Sequence, residues 1–217
     1  MPTTIVLAAA APLLAALLRF EKAGNHRGVL AVKTPLSALF ILAAALQPHP
    51  FPSFTQLMLA GLIFCLGGDV CLALPGARAF RLGLVSFLVG HLLYCAAFFS
   101  IAALNAWTWA GWVACAAASW AVFRWLGPHL GALYGAVMAY VVVITVMATG
   151  AWTVFGDVRI AAAGRWMILA GALSFYLSDI FVARDRFVKS GFENRLAGLP
   201  LYYLGQFLLA FSIGRVL

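Results

Sequence analysis

Residues 55–74 read Thr-Gln-Leu-Met-Leu-Ala-Gly-Leu-Ile-Phe-Cys-Leu-Gly-Gly-Asp-Val-Cys-Leu-Ala-Leu, a run with a single charge, Asp69. About 20 apolar residues let a helix cross a hydrocarbon layer, so the stretch predicts a membrane helix. Similar runs cover Thr3–Leu18, Val29–Gln47, Leu82–Leu104, Trp107–Phe123, Gly131–Gly150, Trp166–Ala183 and Leu196–Gly214. Together they predict an all-α integral membrane protein of about eight transmembrane helices, forming one polytopic membrane domain over residues 1–217. Composition agrees, with 65% hydrophobic and 9% charged residues and a mean hydropathy of +1.03. An ordinary soluble domain carries roughly 25% charged residues. No polar stretch is long enough for a separate soluble domain, which excludes an enzyme held by one anchor.

The net charge of +8 describes orientation. Loops on one side hold Arg19, Lys22, Arg27, Arg78, Arg81, Arg124, Arg184, Arg186, Lys189 and Arg195, whereas the other side holds only Arg159, Arg165 and Arg215. Short loops rich in Lys and Arg stay in the cytoplasm, so both termini are expected outside it. No nucleic-acid partner is expected. Arg outnumbers Lys eleven to three beside many Ala, a usage common in bacteria of high genomic GC, which points to a bacterial inner membrane. The first helix lacks the features of a cleaved signal. The runs are separated by breakers such as Pro48-His49-Pro50, Pro75-Gly76 and Gly127-Pro128. Trp residues near segment ends suit the headgroup level.

Cys65, Cys71, Cys95 and Cys115 fall inside helices without metal or redox spacing and read as small apolar fillers. Only His91, of four histidines, lies in a helix, so a three-His zinc site is not expected, and no metal or cofactor is implied.

Gly61-Leu-Ile-Phe-Cys-Leu-Gly-Gly-Asp69 ends the third helix much as Gly171-Ala-Leu-Ser-Phe-Tyr-Leu-Ser-Asp179 ends the seventh. Gly83-Leu84 and Gly198-Leu199 begin the next helix in each half, with Gly90-His91 and Gly205-Gln206 seven residues on. These offsets fit a four-plus-four parallel repeat about an axis along the membrane normal. Chance matching of Gly and Leu is the alternative.

Charged side chains within membrane helices are costly and tend to mark function or a partner. At a rise of 1.5 Å per residue, Lys33, Asp69, His91, Tyr140, Asp179 and Gln206 lie roughly 6–15 Å inside the basic face. A polar cavity open on that side accommodates them. Each also has a structural reading: Lys33 snorkelling, the two Asp as partners of Lys33 or of hydroxyls, His91 as a bond between helices, and Tyr140, Tyr202 and Tyr203 as packing. Their shared depth carries more weight than any one of them.

Gly68-Asp69-Val70-x-Leu72 with Phe80-x-x-Gly83-Leu84-x-Ser86-Phe87-x-x-x-His91-x-x-Tyr94 resembles the first signature of the YhhN-like lysoplasmalogenase family. Ser178-Asp179, then Asp185-Arg186-Phe187, then Tyr202-Tyr203-x-x-Gln206 resembles the second, and Lys33 near Pro35 extends the likeness from helix two to helix eight. The resemblance implies a membrane hydrolase that cleaves the vinyl ether of a lysoplasmalogen, giving a fatty aldehyde and glycerophosphocholine or glycerophosphoethanolamine. Its partners would be that lysophospholipid and the surrounding membrane lipids. It places Lys33, Ser86, Tyr94, Ser178, Tyr202, Tyr203 and Gln206 at the substrate.

Vinyl ether hydrolysis needs a proton donor to carbon, a group that stabilises the resulting oxocarbenium ion, and a base for water. Two carboxylates in different environments can divide these roles. Asp69 and Asp179 are therefore the expected acid/base pair, with His91 and Tyr140 orienting water or relaying a proton and Lys33 holding the phosphate. A transporter or lipid-binding protein would use the same polar cavity without chemistry. Lys33 is too shallow for a retinal-type pigment.

Overall fold

Most helices start before the apolar stretches that announce them. In the computed structural model, which describes residues 2–217 and leaves Met1 outside, α1 spans Pro2–Lys22, α2 His26–Ala45, α3 Pro52–Ala73, α4 Ala77–Ile101, α5 Ala106–Leu126, α6 Tyr134–Gly156, α7 Ala162–Ala183 and α8 Phe192–Ser212. Hydropathy marks only the part of a helix in hydrocarbon, whereas backbone hydrogen bonding continues through the headgroup layer. Hence α1 ends at Lys22 rather than Leu18, and α8 begins at Phe192 rather than Leu196. By contrast, α2, α3, α4 and α8 end one to three residues short of their apolar stretches, and α6 starts at Tyr134 rather than Gly131. Local signals set the starts. Asn25 accepts from the Gly28 amide at 3.0 Å ahead of α2, Pro52 occupies the first turn of α3, and Asn105 and Thr108 form a capping box at α5.

Among the described residues, seven of the eight helices are long and apolar enough to cross a membrane, and α5 is the exception. Its Trp107, Trp109, Trp112, Trp120 and Trp125 dilute its hydropathy, although 21 residues rise about 31 Å. Because α5 joins the far end of α4 to the basic end of α6, it traverses the same thickness.

The two halves pack alike. Within each, the first helix packs on the second, the second on the third and the third on the fourth; across the halves α4 packs on α6 and α2 on α8. The α3–α4 and α7–α8 crossings use equivalent glycines. A Cβ on Gly90 would lie 3.2 Å from the Gly61 carbonyl oxygen, and one on Gly205 would lie 2.8 Å from that of Gly171. Gly83 approaches the Gly68 carbonyl, as Gly198 approaches that of Ser178. Small residues let helix backbones come this close in membranes. The crossings bring Asp69 on α3 and Asp179 on α7 to equivalent places near the basic end. A π-helical turn, Arg184–Val188, follows α7 and turns the chain toward α8.

Candidate active site

A cavity of about 320 Å³ opens at the basic end, with walls from all eight helices. Lys33, Asp69, Tyr140, Ser178, Asp179 and Tyr202 line it. The two carboxylates, placed alike by the repeat, have different neighbours.

Asp69 is enclosed, its side chain 1% exposed. Lys33 and Ser37 sit four residues apart on α2 and so share a face. Lys33 Nζ is 3.0 Å from Asp69 Oδ1, and the Ser37 hydroxyl donates to Oδ2 at 2.7 Å. The Tyr202 hydroxyl donates to the same Oδ2 at 2.6 Å. With its proton given to Asp69, Ser37 accepts from the Tyr203 hydroxyl at 3.0 Å. Both Asp69 oxygens are therefore held, one of them by a cation. Removing Lys33 would leave a buried charge unpaired, at a cost of about 3–5 kcal/mol.

Asp179 faces the cavity with 19% of its side chain exposed. Its Oδ2 accepts from the Tyr140 hydroxyl at 2.6 Å and lies 3.9 Å from His91 Nε2. His91 Nδ1 meets the Phe87 carbonyl at 2.7 Å. A carbonyl only accepts, so Nδ1 carries the hydrogen, and in the neutral ring Nε2 presents a lone pair. That Nε2 is buried without a hydrogen-bond partner. Asp179 thus has one hydrogen-bond donor, Tyr140, and a histidine lone pair 3.9 Å away, beyond hydrogen-bonding distance, whereas Asp69 is an acceptor in every contact it makes.

The other expected site residues stand farther off. His91 lies behind Asp179, and Tyr203 lies behind Ser37. Tyr94 donates to Gln206 Oε1 at 2.8 Å in a buried pair joining α4 to α8, and Ser86 donates to the Phe64 carbonyl at 2.6 Å, tying α4 to α3. Ser86, Tyr94 and Gln206 do not line the cavity. Ser178 is on the wall, but its hydroxyl donates to the Phe175 carbonyl. Lys33, expected at a phosphate, is turned to Asp69.

The mouth adds residues to which sequence reasoning gave no role at the site. Arg195 bridges Glu21 at 3.0 Å and Asp185 at 3.3 Å, and Asp185 also accepts from the Gly191 amide and from Asn194. Arg184 donates to Asn194. Arg186 lies over the Phe80 ring, 4.3 Å from its centroid. Asp185 and Arg186 stand in the second family signature, whereas Arg184 and Arg195 count only toward the charge asymmetry of the loops. Ser37 was legible as the residue one turn from Lys33. Among the described residues no three His, Cys, Asp or Glu side chains gather as metal ligands.

The model of the YhhN family matches residues 29–213, which contain both carboxylates and their partners. Lysoplasmalogenase TMEM86A of Bos taurus is 34% identical over 182 residues, covering 80% of this chain and 72% of that protein. The human protein of the same name is 33% identical over the same length. A lysoplasmalogenase of Mycobacterium tuberculosis (strain CDC 1551 / Oshkosh) is 30% identical over 176 residues, covering 72% of this chain and 67% of its own. No solved structure matches. With a family match across most of its length and relatives that align over both halves, the chain belongs to the YhhN family.

Proposed function

We propose that this cavity hydrolyses the vinyl ether of a lysoplasmalogen, with Asp179 as proton donor and Asp69 as the fixed carboxylate. The chain is a lysoplasmalogenase-like membrane hydrolase, and the relatives' names support the lysophospholipid as substrate. Asp179 gives its proton to the alkenyl carbon not bonded to oxygen. The double-bond electrons form that C–H bond, and the ether carbon becomes an oxocarbenium ion. Water adds to that carbon while the Asp179 carboxylate, with His91 behind it, takes the water's proton. The hemiacetal passes its hydroxyl proton to the ether oxygen and breaks into a fatty aldehyde and a glycerophospho-alcohol. Asp69, fixed by Lys33, Ser37 and Tyr202, orients the water and faces the developing cation. The basic end lies in the cytoplasm of a bacterial inner membrane, so the headgroup approaches from that side.

The observation that supports these roles is the contrast between Asp179, with one hydrogen bond, an unpartnered His91 nitrogen 3.9 Å away and an open face, and Asp69, with both oxygens held. Incubating detergent-purified protein with a lysoplasmalogen and with an ester lysophospholipid tests the reading. Aldehyde from the first and no fatty acid from the second is expected. Fatty acid from the ester alone, or uptake of intact lipid without aldehyde in proteoliposomes, would overturn it.

A further inference from the structure

Level with Asp179 and beyond it, the cavity has an apolar arm between α5, α6 and α7 walled by Val122, Val141 and Ile144, while Leu126, Val137 and Ile180 line it nearer the mouth. The arm reaches the hydroxyls of Ser119 and Tyr176, with the buried Thr145 behind them. Their hydrogen bonds have one direction. Thr145 donates to the Val141 carbonyl at 2.6 Å, so it accepts from Ser119 at 2.6 Å, and Ser119 in turn accepts from the Tyr176 hydroxyl at 2.7 Å.

The Ser119–Tyr176 bond spans a gap. α5 packs along α6 and against the π-helical turn, while α5 and α7 have little contact; among the described residues this is the one hydrogen bond joining them. The equivalent helix of the first half, α1, packs on α8 as well as α2, so α5 is the more weakly held edge. Its outer face carries exposed Trp109, Trp112 and Trp120, which meet lipid. Tyr176 lies one turn from Asp179 on the same face of α7, about 4.5 Å deeper.

We infer that the seam between α5 and α7 is the portal through which the hydrocarbon chain of the single-chain lipid reaches the bilayer, and that the Ser119–Tyr176 hydrogen bond is its latch. This rests on the hydrolase reading for its substrate, and it follows from where the apolar arm runs. With the vinyl ether at Asp179 and the headgroup at the mouth, the chain has the apolar arm as its continuation. The arm is too short for a long chain, whose remainder passes under the latch into lipid. Ser119 and Tyr176 therefore set chain-length preference without touching the reacting atoms.

The test compares a long-chain lysoplasmalogen with a water-soluble short-chain one. In Ser119→Phe, which fills the seam, the ratio of kcat/KM for long over short substrate is expected to fall about tenfold. In Tyr176→Phe, which unfastens it, KM for the long substrate is expected to drop. A ratio within about twofold of wild type in both variants overturns the portal. Should Ser119→Phe fail to fold, wild-type protein is labelled with a lysophospholipid photoreactive at its chain end. Adducts on α5 and α7 near Ser119 and Tyr176, lost under excess unlabelled lipid, support the portal. Adducts instead on the separate apolar groove of Leu7, Leu36 and Phe207 overturn it. A wild type that releases no aldehyde from either substrate removes the hydrolase reading alone, and the labelled helices still decide the portal.

Discussion

His91 Nε2 points at Asp179 Oδ2 from 3.9 Å with no other partner, while the Phe87 carbonyl fixes the opposite ring nitrogen as a donor. Asp179→Asn removes the proton from this pair but keeps its shape. Aldehyde release is expected to fall by about 10²–10⁴-fold, with the thermal midpoint nearly unchanged. Near wild-type turnover in a folded Asp179→Asn protein removes Asp179 as the donor.

His91 does not line the cavity, so in the proposed mechanism it acts through Asp179. His91→Gln is therefore expected to lower kcat with little change in KM, and to remove one limb of the pH–rate profile. A variant that raises KM and leaves the profile intact would make His91 a packing residue for Phe175, whose ring lies 4.5 Å from it, centroid to centroid.

Lys33 and Asp69 have to be separated from catalysis by stability. Breaking a buried pair on one side strands a charge, so Lys33→Met is expected to destabilise by about 3–5 kcal/mol. Asp69→Asn in the Lys33→Met background restores part of the loss, because the remaining amide still accepts from Ser37 and Tyr202. Thermal unfolding in detergent of both single variants and the double variant measures the coupling; additive losses would deny the pair any energetic link.

The helices and the polar layer were legible because both follow from the cost of polar groups in hydrocarbon. Asp69 and Asp179 stand out in apolar runs, and their depth follows from helix rise alone. What distinguishes them was not legible, since it depends on which neighbour each half supplies: Lys33 and Ser37 from α2 for Asp69, Tyr140 from α6 and His91 from α4 for Asp179. Arg184 and Arg195 were hidden by a second cause: loop charge explained them before any contact was known. Ser86, Tyr94 and Gln206 stand in the same motifs as cavity residues but bond between helices, and a motif does not separate wall from scaffold.

The glycine crossings give a prediction about packing. A Cβ on Gly205 would stand 2.8 Å from the Gly171 carbonyl oxygen and 3.0 Å from the Phe175 amide nitrogen, both backbone atoms. Neither yields by a rotamer change, so α7 and α8 must separate. Gly205→Ala is expected to cost about 1–3 kcal/mol and to lower activity by shifting Tyr202 away from Asp69. Gly135→Ala, where nothing lies within reach of the added methyl, serves as the control. Equal midpoints for the two variants would contradict the close crossing.

At the far end, between α6 and α7, Asp157 accepts from Arg159 Nε at 2.9 Å and Nη2 at 2.6 Å, and from the Arg159 amide at 3.1 Å. These bonds hold the Asp157 carboxyl below the usual carboxylate range. A group whose folded pKa is depressed stabilises the fold above its unfolded pKa, and that stability is lost as pH falls through the folded value. The loop is therefore expected to lose stability only at acid pH below the ordinary Asp range. The effect is small, because Arg159 is largely exposed and solvent screens the pair. Asp157→Asn should flatten the acid limb of the unfolding midpoint against pH while leaving its neutral plateau near wild type. An acid limb of the same slope in the variant would assign the loss to other carboxylates.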